Sequence, residues 1–394
     1  MTRCLMLSWE YPPIIEGGLA RHVKKLSDAL PGSGVEVHVL TRGDERSHSE
    51  EEPRDGLIVH RVRQPHRPEE LGPFVAWVEH MNADLLAAAV ELGDRYRFDL
   101  VHGHDWLVAV AGDHLAHRFK APLAMTIHAT EYGRHQGWVA EHPQSYIHAV
   151  ERWIVGRADH VIACSHYMRG HLADVFDRDE DSISVIPNGI DSDDLGAVED
   201  LEHLRARFAG VDERMLLLVG RLVYEKGFQL ALAALPGLLE RLPDLRFVVA
   251  GSGPHETALR AQARDLGLLD RVTFIGWIGD DLLHSLYRIA DLCVVPSIYE
   301  PFGLVALEAM ACGCPCIVAD TGGLREVVPH DAVGLRFRAS DPSSLAEMVE
   351  RVLSDDALRG RLVAEASEHV LGFDWSEIAE ATAAVYRSLI TEPV

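Results

Sequence analysis

Lysine is scarce in this chain: four among 394 residues, Lys24, Lys25, Lys120 and Lys226. Arginine carries nearly all the positive charge, and the formal net charge is -24. That acidity argues against binding to nucleic acid or to an anionic membrane. A phosphate site in such a chain has to be a local positive pocket. No run of eighteen apolar residues occurs, so no membrane-inserted helix is expected. The apolar run within Met1–Glu10 is short and is followed at once by prolines. It reads as the first strand of a cytoplasmic protein, not as a secretory leader. The six cysteines include no Cys-x-x-Cys pair. Cys312-Gly313-Cys314-Pro315-Cys316 therefore reads as small buried residues at a helix-to-strand turn, with a soft-metal or redox site disfavoured. No Gly-Lys-Ser/Thr follows Gly17-Gly18, so that loop is not a P-loop. Gly251-Ser252-Gly253 lacks the third glycine of a dinucleotide fingerprint, because Glu256 stands there.

What is present is a twice-given rhythm of short apolar runs and amphipathic stretches. Strands are predicted at 4–8, 35–40, 57–62, 100–102, 123–127, 160–163 and 183–186, then at 215–219, 246–250, 272–275, 292–295 and 315–318. Helical patterns lie between many of them, including 18–30, 75–95, 106–117, 227–241, 255–266, 282–289, 304–311, 343–353 and 357–369. The implied fold class is α/β: two doubly wound parallel sheets facing across a cleft. The expected domains are 1–190, 191–372 and a last helical segment, 373–394, packing back toward the first. Residues 43–55 read as a solvated loop. Asp191-Ser192-Asp193 has the Asp-x-Asp form of some metal-dependent sugar transferases, but at the expected linker it reads as a turn.

The candidate chemistry falls just after predicted strands, where open α/β sheets bind ligands. After the strand at 292–295 comes Glu300-Pro301-Phe302-Gly303-Leu304, and Glu308 follows in the next helix. Two carboxylates flanking helix-start amides suit a polyhydroxylated, phosphorylated ligand such as a nucleotide sugar. Gly220-Arg221…Lys226-Gly227 can bring a guanidinium and an ammonium onto one diphosphate. The competing reading is a solvated pair of Lys226 with Glu225. Glu16-Gly17-Gly18 can let a ligand approach the backbone at a helix start. His102-Gly103-His104-Asp105 could hold zinc, but no third spaced ligand is visible, and no metal is expected.

Together these residues resemble the retaining glycosyltransferases of the two-domain B fold, family 4, over nearly the whole chain. Ser8-Trp9-Glu10-Tyr11-Pro12-Pro13, His102–Trp106 and His128–Trp138 look closest to the bacterial glycogen-synthase-like α-glucan glucosyltransferases. The resemblance implies that Arg221 and Lys226 hold the donor diphosphate, helped by the Gly17 and Gly18 amides. Asn188 belongs to the supporting Pro187-Asn188-Gly189 motif and is placed on the donor side. Glu308 would accept from ribose hydroxyls. Glu300 would bind the donor sugar beside the amides of Phe302, Gly303 and Leu304. His128 would sit by the reaction centre, with Glu10 and Asp105 as acceptor-side or supporting residues. One departure is Ile15-Glu16-Gly17-Gly18, where starch and glycogen synthases of the other main family carry Lys-Thr-Gly-Gly.

The implied reaction moves glucose from ADP- or UDP-glucose to an α-1,4-glucan, with no cofactor required. Alternatives are a mannosyl or other hexosyl transferase acting on a lipid or small metabolite, and a non-catalytic nucleotide-sugar binding protein. A pyridoxal-phosphate phosphorylase needs a Schiff-base lysine, and none of the four is an obvious candidate. The nucleotide base, acceptor and oligomeric state stay open.

Overall fold

The computed structural model describes residues 1–191, 195–197 and 200–391. Ser192 and Asp193 of the Asp-x-Asp motif lie outside the described residues. Contacts divide the chain into two units: Met1–Gly189 with Trp375–Val394, and Ile190–Asp374.

The first unit holds strands β1 (Thr2–Ser8), β2 (Val35–Gly43), β3 (Glu50–Arg54), β4 (Leu57–Arg63), β5 (Leu100–His104), β6 (Leu123–Ile127), β7 (His160–Ala163) and β8 (Ile183–Val185). They form one sheet in the order β3-β4-β2-β1-β5-β6-β7-β8. Buried runs such as Cys4-Leu5-Met6-Leu7 read as apolar throughout because central strands are covered on both faces. Strand β3 corrects the reading of 43–55 as loop. It pairs antiparallel with β4, Glu50 opposite His60 and Glu51 opposite Val59. All its residues are exposed, so it lacks the apolar alternation that reveals a strand. Ion pairs hold it instead, Arg61 to Glu51 and Arg95 to Glu50, each at 2.7 Å.

The helix Trp375–Thr391 completes this unit. Trp375, Ile378, Ala379, Ala383 and Tyr386 share the core with Met6, Val37 and Leu100. A Cβ on Gly189 would lie 2.7 Å from the Trp375 ring, so a bare backbone is what lets the indole seat there.

The second unit holds β9 (Arg214–Val219), β10 (Leu245–Ala250), β11 (Val272–Gly276), β12 (Leu292–Val295), β13 (Cys316–Ala319) and β14 (Leu335–Phe337). Their order is β11-β10-β9-β12-β13-β14, and every pair is parallel. Strand β14 was not anticipated; three residues are too few to show a period. All six cysteines are free thiols. Cys314 and Cys316 are buried where the chain enters β13, beside buried Cys293 on β12. Among the described residues no helix is long and apolar enough to cross a membrane.

Candidate active site

In each sheet the strand order reverses at one place: between β9 and β12, and between β1 and β5. There the connections leave toward opposite faces, and a crevice opens at the strands' carboxyl ends.

In the second unit this crevice lies between the loop after β9, Gly220–Gly227, and the loop after β12, Pro296–Gly303. Gly227 sets their spacing. It has φ +69°, and a Cβ there would fall 1.9 Å from the Pro296 carbonyl oxygen. With the loops this close, Lys226 Nζ donates to Glu300 Oε2 at 2.7 Å. The hydroxyl of Ser297 donates to the same oxygen at 3.0 Å. Glu300 is buried, with 8% of its surface exposed. The side-chain partner of Lys226 is thus Glu300, while Glu225 accepts from the Ile298 amide through its carbonyl, at 2.8 Å. Arg221 is exposed on the same loop.

Gly303 has φ +121° and precedes the helix Leu304–Ala311, with Phe302 buried behind it. The first amides of a helix have no intrahelical acceptor. Glu308, one turn further on, accepts from the hydroxyl of buried Tyr287 at 3.1 Å. Lys226 and Glu300 therefore meet where the two loops of this switch point come together, with Arg221 on the first loop, the Phe302-Gly303-Leu304 turn ending the second and Glu308 on the helix that follows.

In the first unit Glu10 follows β1 and is 2% exposed. The amides of Glu16 and Gly17 donate to its carboxylate. Burial raises its pKa to about 7 against the lowering effect of those amides. The Glu16 side chain faces the other way, to Arg42 at 2.7 Å and Arg67 at 2.8 Å. The Gly17 amide thus faces Glu10, and Gly18 opens the helix Gly18–Ala29.

Asp105 follows β5 at φ 60°. Its Oδ1 accepts from the His128 amide at 2.7 Å. Burial lifts its pKa to about 6, while Arg134 and the His128 and Ala129 amides pull it down. The ring of His128, after β6, meets His104 Nδ1 through Nε2 at 3.1 Å. His102 is satisfied elsewhere, by Tyr386 Oη at 2.6 Å and Thr126 Oγ1 at 2.7 Å. The rings of His102 and His104 lie 4.3 Å apart, but both nitrogens of His102 are taken and Asp105 turns to the His128 amide, so the three share no ligand point. His104 meets His128 and His22, whose ring centroids lie 5.6 Å (His22–His104) and 4.6 Å (His22–His128) apart. His22 was visible only as the end of the Glu16–His22 motif; its helix turns it inward. Asn188 sits beside His22 in this same unit, buried to 5% exposure. Burial keeps these imidazoles neutral, with His102 and His128 lowered to about 3 and His22 and His104 well below the usual range.

Residues 16–194 match the family described as Glycosyltransferase Family 4, and residues 202–369 match Glycosyl transferases group 1. The chain is 40% identical to a glycogen synthase of Mycobacterium tuberculosis over 98% of this chain and 94% of that one. The chain belongs to glycosyltransferase family 4. This family 4 member is also 34% identical to a D-inositol 3-phosphate glycosyltransferase of Frankia alni, over 95% of each chain. Its fold matches a sucrose-phosphate synthase from Thermosynechococcus elongatus with TM-score 0.85 and 28% identity, over 99% of this chain and 100% of that one. An Anabaena protein solved with UDP-glucose matches the fold at TM-score 0.78 and 22% identity, over 98% and 100% of the two chains. Two Rossmann-like units of the B-fold type and hexosyltransferase activity follow from this membership.

Proposed function

We propose that this hexosyltransferase moves glucose from ADP- or UDP-glucose onto an α-1,4-glucan with retention of configuration. The observation that carries this reading is the likeness to a glycogen synthase at 40% identity across 98% of the chain. The Lys226–Glu300 pair at the second switch point supports it, because it sets a cation and a carboxylate side by side at the strand ends.

In this reading Arg221 and Lys226 take the donor diphosphate, and Lys226 exchanges part of its bond to Glu300 for phosphate oxygens. A cation fixed beside the leaving group stabilises the charge that develops there, at little reorganisation cost. Glu300 then accepts from hydroxyls of the donor sugar, beside the amides of Phe302, Gly303 and Leu304. Glu308 accepts from ribose. His128, neutral and held through its own amide by Asp105, donates to or accepts from the transferred sugar without adding a competing charge. Glu10 holds the loop that presents Gly18. Asn188 fixes the ring of His22, which packs on His128. The departing phosphate takes the acceptor's proton, so no dedicated base is required.

A second reading, hexosyl transfer to a small phosphorylated metabolite, is favoured by the 34% identity to an inositol-phosphate transferase. Nucleotide release from ADP-, UDP- and GDP-sugars, with and without maltooligosaccharides, separates the two. Release from a glucose donor that depends on glucan establishes the first. Release that requires a phosphorylated small acceptor establishes the second.

A further inference from the structure

The first unit buries an imidazole cluster with unmet bonding capacity. Among the described residues His104 Nε2 has no hydrogen-bond partner, and His22 has Asn188 beside one ring nitrogen and no partner for the other. His22 is 6% exposed and His104 is fully buried. Burying a polar nitrogen without a partner costs about 1–3 kcal/mol. Such nitrogens within one cluster point to a ligand.

The three rings come from three elements. His22 lies on the helix Gly18–Ala29, His104 ends β5, and His128 follows β6. Each offers one nitrogen, and these donor atoms all lie within 4.8 Å of one another. Imidazole nitrogens around a tetrahedral zinc, at Zn–N about 2.0 Å, are about 3.3 Å apart. His104 Nδ1 and His128 Nε2 stand at 3.1 Å in a hydrogen bond to each other, so an ion taken up by that pair replaces the bond.

A partner for the second nitrogen of a metal-bound histidine is also at hand. Such a ligand commonly donates its other N–H to a carbonyl oxygen. Asn188 is buried beside His22, with its side chain hydrogen-bonded to that ring. It can take up one nitrogen of His22, which leaves the other for an ion. His128 is only half-buried, so it supplies the side from which an ion and a water can enter.

We propose that His22, His104 and His128 form a three-histidine site for a borderline-soft divalent cation such as Zn²⁺, with water as fourth ligand. Each ring binds through its lone pair. The ring proton moves between the two nitrogens and is not lost. An ion held here occupies the ring of His128, so it inhibits transfer; that consequence rests on the sugar-site role proposed for His128, whereas binding does not.

The test is calorimetric titration of the metal-free full chain with Zn²⁺, and visible spectroscopy with Co²⁺. The expected result is one ion per chain and the d–d bands of a four- or five-coordinate nitrogen site. No thiolate charge-transfer band accompanies them, because the cysteines take no part. His22→Gln and His104→Gln each lower affinity by more than the roughly 10–100-fold that loss of an outer partner costs, and Asn188→Ala lowers it within that range. The Co²⁺ spectrum of the unaltered protein stands as evidence even where a variant folds poorly. Absence of stoichiometric binding, a thiolate band, or affinity that survives both histidine substitutions overturns the site. Stoichiometric binding without inhibition leaves the site standing and overturns the role of His128.

Discussion

At the scale of single residues, charge placement governs this protein. Lys226 and Glu300 form an ion pair at 2.7 Å, with side-chain exposures of 23% and 11%. Lys226→Ala leaves Glu300 buried beside Ser297 without its cation. Removing one fixed donor from a transition-state site costs about 10²–10³ in kcat, and a loss of that size is expected while the melting temperature falls only modestly. Steady-state nucleotide release and thermal melts on the same sample check it; retained turnover in a folded variant would remove Lys226 from the site. Glu10 makes a prediction in pH. Its folded pKa is raised to about 7 from 4.5 by burial. The folded state therefore holds that proton more tightly than the unfolded state. Stability from this group is fully present below about pH 4.5 and is lost as pH rises through about 7. Compared with Glu10→Gln, in which the group cannot titrate, the natural protein should gain stability steadily from pH 8 to pH 5. Paired denaturant titrations measure the difference, and a flat difference refutes the raised pKa.

At the scale of elements, close approaches position the chemistry. Gly227 brings the loop after β9 against Pro296 and so sets Lys226 beside Glu300. Gly227→Ala forces a Cβ 1.9 Å from a carbonyl oxygen at φ +69°, and backbone strain of this kind costs about 1–3 kcal/mol before any clash. Loss of both stability and turnover is expected, unlike Lys226→Ala, which loses mainly turnover. The helix Trp375–Thr391 is held by packing and by polar contacts that include Tyr386 Oη to His102 Nδ1 at 2.6 Å. Tyr386→Phe leaves that nitrogen buried and unpaired, at a cost of about 1–3 kcal/mol, measurable as a shifted urea midpoint with unchanged slope.

At the scale of the whole molecule, each unit has its own sheet and core, and the chain returns to the first unit after completing the second. Deleting residues 375–391 strips Trp375, Ile378, Ala379, Ala383 and Tyr386 from the first core. Hydrogen exchange should then speed up in β1, β2 and β5, while β9, β10 and β12 keep their protection. Equal acceleration in both units would show that they unfold as one.

The α/β class, the two sheets and the motifs at strand ends were legible in the chain, because buried parallel strands read as apolar runs and glycines punctuate the turns after them. The place of Lys226 after one strand and of Glu300 after another was legible for the same reason. Their meeting was not, since it depends on β9 and β12 being neighbours, and strand order is absent from local periodicity. The charged edge strand β3 and the three-residue β14 escaped because neither carries an apolar period. The histidines show the limit most plainly. Spacing grouped His102, His104 and Asp105 because they are adjacent in sequence. The tertiary structure tied His102 to Tyr386, set Asp105 under the His128 amide, and gathered His104 with His22 and His128 from three separate elements. Sequence determined which residues could do chemistry and at which strand ends they stand; packing of distant elements decided which of them touch.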